Sequence, residues 1–382
     1  MAKPLEGIRV ADFSHVIAGP LATQFLNLLG AEVIKVEPPA GDPMRNYTRN
    51  PERRGMAEPF VGANAGKKSV VLDLKTDEGR AAARKLVATA DVVVENFRPG
   101  VAERLGLGPQ ALTTAHPELI YCSVSGFGQD GPMRDFPAID QVIQSVSGLM
   151  LLSGHEGEPA ERIGFPIVDT YSALLSAFAI LSAVVQRERD PQRRGQVVDV
   201  SMLDATMVMM SSVVVPMMLA GESPRRAGNR GFSGAPTADT FATADGEITI
   251  GAVQQIQVER LFRTLGCEDL LDDARFSTPD ARMANDAALQ AVLKDRFATR
   301  TALDWEADLA AAGVPAGKVR PLDETMTLEQ LQGRDLFLDL GDGSQILNAG
   351  FKFGRDGPGV ASPAPGLGAD TEAVLAQLKA ED

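Results

Sequence analysis

Residues 8–37 read IRVADF, SHVIAGP, LATQFLNLL, G and AEVIKVE in succession. Ile8 to Phe13 reads as a strand, Ser14 to Pro20 as a loop. Leu21 to Leu29 carries apolar residues at helical spacing and stops at Gly30, and Glu32 to Glu37 is a second strand. Strand, helix and strand within about thirty residues make a βαβ unit, whose parallel strands are joined by a right-handed crossover. The alternation continues outward. Ser69 to Leu72, Asp91 to Val94, Leu119 to Val124 and Gln196 to Val200 read as strands. Asp77 to Thr89, Gln141 to Leu152 and Thr170 to Arg187 read as helices. Strands alternating with helices predict an α/β layered fold.

The composition changes after this region. Gly221 to Pro236 is rich in Gly, Pro, Ser and Arg and reads as a linker or mobile loop. Thr240 to Thr243 and Glu247 to Ile250 predict a hairpin turning at Asp245-Gly246, followed by helices around 258–265, 286–297 and 303–312. The expected organisation is a large Rossmann-like domain beginning at 1–220, a linker at 221–236 and a small α+β domain at 237–320. Residues 321–382 then return to the large domain, with a strand at Gln345 to Phe353 and a helix at Thr371 to Leu378.

The chain has 382 residues, 44% of them hydrophobic and 23% charged, which suits a globular protein of two domains. Its formal net charge of −14 disfavours nucleic acid and anionic membranes as partners. Apolar stretches at Ala173 to Val185 and Ala205 to Ala220 fall short of the ~20 residues needed to span a bilayer, so no membrane association is expected. Cys122 and Cys267 support neither a disulfide framework nor a zinc site; a reducing cytoplasm and no metal are the expectation. The G-x-G-x-x-A run at Gly106 to Ala111 follows no strand, and Pro109 has no N–H for a phosphate. It argues poorly for nicotinamide or flavin.

Among possible site residues, His116 and His155 stand in loop-like surroundings. His15 follows the first strand at its carboxyl end, the edge where open α/β sheets bind ligands, though a solvent-facing loop histidine fits as well. Asp169 precedes a very apolar helix. It reads either as an N-cap accepting hydrogen bonds from the first turn or as a nucleophile kept ionised by the helix N-terminus.

Motifs along the whole chain carry a further reading. They are Pro4-Leu5-Glu6-Gly7-Ile8-Arg9-Val10 with Gly19-Pro20; Leu29-Gly30-Ala31-Glu32-Val33-Ile34-Lys35-Val36-Glu37; Lys67-Lys68-Ser69 with Leu72-Asp73-Leu74-Lys75; and Ala90-Asp91-Val92 with Glu95-Asn96-Phe97-Arg98-Pro99-Gly100. Gly126-Phe127-Gly128 with Gly131-Pro132 follows, then Gly195-Gln196 with Asp199 to Asp204, Ala312-Gly313-Val314-Pro315 and Pro365-Gly366-Leu367-Gly368. In this order and spacing the sequence resembles the class III CoA-transferases, the family that also contains the α-methylacyl-CoA racemases.

The resemblance implies an interlocked homodimer of ring-shaped chains, with coenzyme A as co-substrate and acyl-CoA and carboxylic acids as partners. It implies Asp169 as the catalytic aspartate and His15, Val16 and Ala18 near the CoA thiol end. Leu72, Lys75, Asn96, Phe97 and Arg104 would hold the nucleotide end. Racemisation needs a proton carrier on each face of the reacting carbon. Where the racemase branch has His before Asp, this chain has Ile139-Asp140, so the transferase branch is implied. Ile17 and Ile139 also replace residues typical of oxalate-specific enzymes, so oxalate is not implied as acceptor. Gly228, Gly231 and Gly234 form a candidate lid. Arg162, Arg225, Arg226 and Arg230 are candidates for binding a second carboxylate, with solvated loop charges the ordinary alternative. A CoA-binding protein without chemistry is the remaining alternative of another class.

Overall fold

The structure is a computed structural model that describes residues 3–380. It divides into two units. One holds the chain up to Met150, Glu161–Pro224 and the chain from Gln330 onward; the other holds Leu151–Ala160 and Arg225–Glu329.

The first unit is built on six strands: β1 (Arg9–Asp12), β2 (Glu32–Glu37), β3 (Lys68–Val71), β4 (Val92–Glu95), β5 (Ile120–Ser125) and β6 (Val197–Ser201). All neighbours are parallel, in the order β3-β2-β1-β4-β5-β6. The inner strands β1, β2, β4 and β5 are buried along most of their length, because helices cover both faces. On one face α1 (Ala18–Leu28) and α7 (Ile167–Arg189) pack Leu26, Ile180 and Val184 against Val10, Val92 and Val124. On the other, α3 (Asp77–Ala88), α5 (Pro109–Ala115) and the C-terminal helix Thr371–Ala380 pack Leu86, Leu112 and Leu378 around Val36, Val70 and Val93. The start of that last helix also satisfies the edge strand. Asp370 accepts from Ser69 N–H at 2.8 Å, and the Thr371 hydroxyl from Val71 N–H at 3.0 Å.

The remaining elements of this unit include α2 (Glu58–Asn64), α4 (Val101–Arg104), α6 (Asp140–Val146), α8 (Met202–Met209) and α9 (Ser211–Ala220). The second unit has a three-stranded antiparallel sheet, with Glu247–Ile250 between Thr240–Ala242 and Ala316–Lys318. Its helices bury Leu261, Phe262, Phe297 and Trp305 against that sheet, and the Trp305 indole donates to the Phe297 carbonyl at 3.0 Å.

Several elements depart from the sequence expectation for local reasons. The helix expected over 141–152 ends at Val146, because Gly148 takes a positive φ of 80°. The strand expected over 345–353 is only Gln345–Leu347, paired with Phe337–Asp339. Its continuation leaves the ladder after Asn348, whose backbone N–H still donates to the Leu336 carbonyl and whose side-chain amide donates to the Pro358 carbonyl. The apolar run 205–220 is a pair of helices bent by 79°. α7 has 23 residues, long enough by length and apolarity to cross a membrane, so the argument from a short apolar stretch does not hold for it. It packs on α1 and the sheet, and its buried Arg187 pairs with Asp91 at 3.0 Å.

Candidate active site

In the order 3-2-1-4-5-6 the chain reverses direction between β1 and β4, and a crevice opens beyond the carboxyl ends of those strands. A cavity of about 600 Å³ lies there. His15 to Ala18 after β1 and Asn96 to Pro99 after β4 form one side; Ile139, Asp140 and Asp169 form another. The two loops are tied together, because Asn96 accepts from His15 N–H and donates to the His15 carbonyl, both at 2.8 Å. The His15 ring lies 6.1 Å from the Phe97 ring, and its Nε2 is buried without a hydrogen-bond partner. Burial and the Lys35 cation lower the His15 pKa.

Asp169 is the third residue of α7, and the capping role belongs to another side chain. Asp140 Oδ2 accepts from the N–H groups of Val168 at 2.8 Å and Asp169 at 3.2 Å. Asp140 is itself held by Gln144, which donates to its other oxygen at 2.6 Å and accepts from Ile163 N–H at 2.9 Å. The N-cap reading of Asp169 is therefore replaced: its carboxylate accepts no hydrogen bond among the described residues and faces the cavity. The helix N-terminus does not keep its pKa low either. Burial, and then the like charge of Asp140, push it up to about 7. A partly desolvated carboxylate of raised basicity is a better nucleophile than one bound by donors.

The loop carrying His15 is held under strain. Val16 has φ of 67°, a conformation unfavourable for a β-branched residue. Its N–H is fixed by both oxygens of Asp42, each at 3.2 Å. Asp42 pairs with Lys35 at 2.9 Å, both side chains fully buried, and Lys35 also donates to the Ser14 carbonyl at 2.9 Å. A second buried pair, Lys67 and Asp12 at 3.2 Å, lies below. Lys67 also donates to the Pro20 carbonyl, the Thr23 hydroxyl and Asn64. Burial would raise Asp12, but the Lys67 and Lys35 cations together with the hydroxyls of Ser14 and Thr23 lower it to about 2; burial lowers Lys67 to about 8, so both are charged at neutral pH. Glycine is required at position 19, where a Cβ would lie 2.2 Å from the Ser14 Cβ. The N–H groups of Ala18 and Gly19, at the positive end of α1, have no acceptor among the described residues.

The structure thus brings together His15, Val16, Ile17, Ala18, Asn96, Phe97, Ile139, Asp140 and Asp169 at one cavity. Leu72, Lys75 and Arg104 lie outside its lining: Leu72 is buried just past β3, while Lys75 and Arg104 are exposed and form no ion pair among the described residues. Gly228, Gly231 and Gly234 belong to the second unit. There, Gly228 N–H donates to the Gly154 carbonyl, and a Cβ on Gly228 would meet the His155 ring at 2.2 Å. Of the candidate arginines, Arg162 lines the cavity. Arg226 is spent on the carbonyls of Ser153, Glu158 and Pro159, and Arg230 on Asp239 and Asp286, so neither is a free carboxylate receptor. The sequence reading missed Arg98 and Arg134, which also line the cavity, and Gln144, whose role exists only through tertiary contact.

The description of CoA-transferase family III matches residues 5–371. The chain belongs to this family. It is 35% identical over 362 residues to the acetyl-CoA:oxalate CoA-transferase of Acetobacter aceti, covering 93% of this chain and 92% of that protein. It is also 35% identical to the succinate–glutarate CoA-transferase of Agrobacterium fabrum, covering 98% and 96%. A crystal structure of a CAIB/BAIF family protein from Brucella suis superposes with a TM-score of 0.90 at 34% identity, over 99% of this chain and 100% of that one. This family III protein is an enzyme, a CoA-transferase acting on acyl-CoA and carboxylate substrates, with the CoA thioester as co-substrate.

Proposed function

We propose that the enzyme moves CoA from an acyl-CoA donor to a small carboxylic acid through covalent intermediates on Asp169. The observation that carries this reading is the unpartnered, basic Asp169 carboxylate in a cavity walled by the His15–Ala18 loop. An Asp169 oxygen attacks the thioester carbonyl, the C–S bond breaks and CoA thiolate leaves, giving a mixed anhydride. The thiolate sulfur then attacks the Asp169 carbonyl; the anhydride C–O bond breaks, releasing the donor acid and leaving an aspartyl-CoA thioester. The acceptor carboxylate attacks this thioester, and the same two steps in reverse deliver the new acyl-CoA and free Asp169. The N–H group of Ala18, which lines the cavity, is the candidate oxyanion donor, such a donor being worth ~3 kcal/mol in other acyl transfers. Ile139 carries no proton and so removes the acid–base group that the racemase branch has at that position.

A dicarboxylic acceptor is favoured. Arg98, Arg134 and Arg162 line the cavity, and the named relatives act on oxalate, succinate and glutarate. Lys75 and Arg104, exposed and without an ion pair among the described residues, suit the phosphates of CoA. A second copy of the chain is the proposed cover for Leu174 and Phe178 of α7 and Met218 and Leu219 of α9, all exposed in the single chain. A reducing cytoplasm suits the two free cysteines.

Incubation with acyl-CoA, followed by hydroxylamine and peptide mass spectrometry, is expected to place the hydroxamate at Asp169. Modification of any other residue, or none, overturns the mechanism. The pH profile gives a separate check. Only ionised Asp169 attacks, so kcat/KM is expected to rise about tenfold per pH unit below about 7 and to level off above it. Asp140→Asn removes the like charge and keeps an amide oxygen for the Val168 and Asp169 N–H groups. The inflection is expected to move to lower pH; an unmoved profile assigns it to another group.

A further inference from the structure

A second cavity, of about 720 Å³, lies in the same unit. Ile17 and Pro166 line both it and the Asp169 cavity, so the two share a wall beside the nucleophile. Thr170, the residue after Asp169, faces this second space, and its hydroxyl is spent on the Pro166 carbonyl at 2.8 Å. The rest of the lining is mainly aliphatic and aromatic, with Leu21, Phe25, Leu28, Met44, Val61 and Ile346 in the walls. Its charged side chains, Arg53 and Glu58, pair with each other at 3.6 Å. The Gln24 amide nitrogen donates to the Ala65 carbonyl, its Oε1 having no partner among the described residues, and the Asn348 amide donates to the Pro358 carbonyl. Such a space has the volume of a ligand site and few polar groups to hold a charged or hydrated one.

We propose that this cavity receives the acyl chain of a CoA thioester whose carbonyl lies at Asp169, and that the enzyme accepts unbranched apolar acyl groups of several carbons. The inference rests on the CoA-transfer reading and narrows it. The thioester carbonyl and the sulfur stay in the polar cavity beside Asp169 and His15; the hydrocarbon passes Ile17 and Pro166. Burying one methylene is worth about fourfold in binding, the equivalent of about 0.8 kcal/mol.

The test uses acetyl-, butyryl-, hexanoyl- and octanoyl-CoA as donors to one fixed carboxylate acceptor. kcat/KM is expected to rise by more than about tenfold with each two-carbon step until the cavity is full. Gly62 lines the cavity, lies within α2 and has nothing within 4 Å of where a Cβ would stand. Gly62→Leu therefore fills the space without crowding the fold, and helical Gly→Leu is favourable in propensity. The octanoyl-to-acetyl ratio is expected to fall at least about tenfold in this variant, the effect of removing room for two methylenes. A flat chain-length profile in the parent enzyme overturns the acyl-chain site while leaving CoA transfer intact. A Gly62→Leu protein that loses its oligomeric state and slows equally on all donors overturns it too, assigning the cavity to a second copy of the chain. Absence of exchange with every donor overturns the CoA-transfer reading itself.

Discussion

Asp169→Asn is expected to slow CoA exchange by at least about a thousandfold, or about 4 kcal/mol of barrier, while leaving CoA affinity within a few-fold of the parent. The amide has the same shape but cannot form an anhydride, and among the described residues the cavity lining holds one other carboxylate, Asp140. Asp140 has both oxygens committed, to Gln144 and to the N-terminus of α7. The same change is expected to stabilise the protein, in a direction fixed by the raised pKa. A folded-state value of about 7 against 3.8 means that the folded form holds a proton which the unfolded chain has released across that window. Stability therefore falls as pH rises from about 4 to about 7, the reverse of a salt-bridged carboxylate. Asp169→Asn should raise Tm at pH 8.5 and shift it much less at pH 5. Steady-state exchange assays, calorimetric CoA titration and melting curves at the two pH values read all of this out. Retained turnover removes Asp169 from the chemistry; loss of CoA binding alongside turnover makes it a structural residue.

The βαβ opening was legible because periodicity survives in a doubly wound sheet: Val92-Val93-Val94 and Val33-Ile34 are buried on both faces and read as continuous apolar runs. His15 was found through its place at a strand's carboxyl end, a rule of topology. The fate of Asp169 was not legible. Sequence shows a carboxylate before an apolar helix, and the cap comes from Asp140, 29 residues earlier, through a contact that only folding creates. The burial of Lys35 has the same cause. Lys35 lies inside a strand otherwise read for its apolar residues, and nothing local reveals that it is fully buried against Asp42. Arg226 and Arg230 looked free because loop composition carries no information on which carbonyls and carboxylates will surround them.

Asp42→Ala is expected to cost about 3–5 kcal/mol of stability, because it leaves the Lys35 ammonium buried without its anion. The loss is larger than that of the pair as a whole, so Lys35→Met combined with Asp42→Leu should recover most of it. Activity should follow a different rule. Asp42 also holds the Val16 N–H, and that contact keeps Val16 at φ of 67°. Without an acceptor there, Val16 gains by relaxing toward negative φ, a shift worth roughly 1–2 kcal/mol for a residue in the left-handed region. Relaxation at Val16 is expected to move His15 and to turn the N–H of Ala18, the proposed oxyanion donor, away from Asp169. The stable double variant is therefore expected to remain at least about a hundredfold slow in exchange, the cost of losing one well-placed oxyanion donor. Denaturant titration of the first unfolding transition measures the stability side, and exchange kinetics the other. A double variant that recovers both together makes the buried pair a scaffold alone; one that recovers stability only makes it the device that holds the site's backbone in a strained, productive shape.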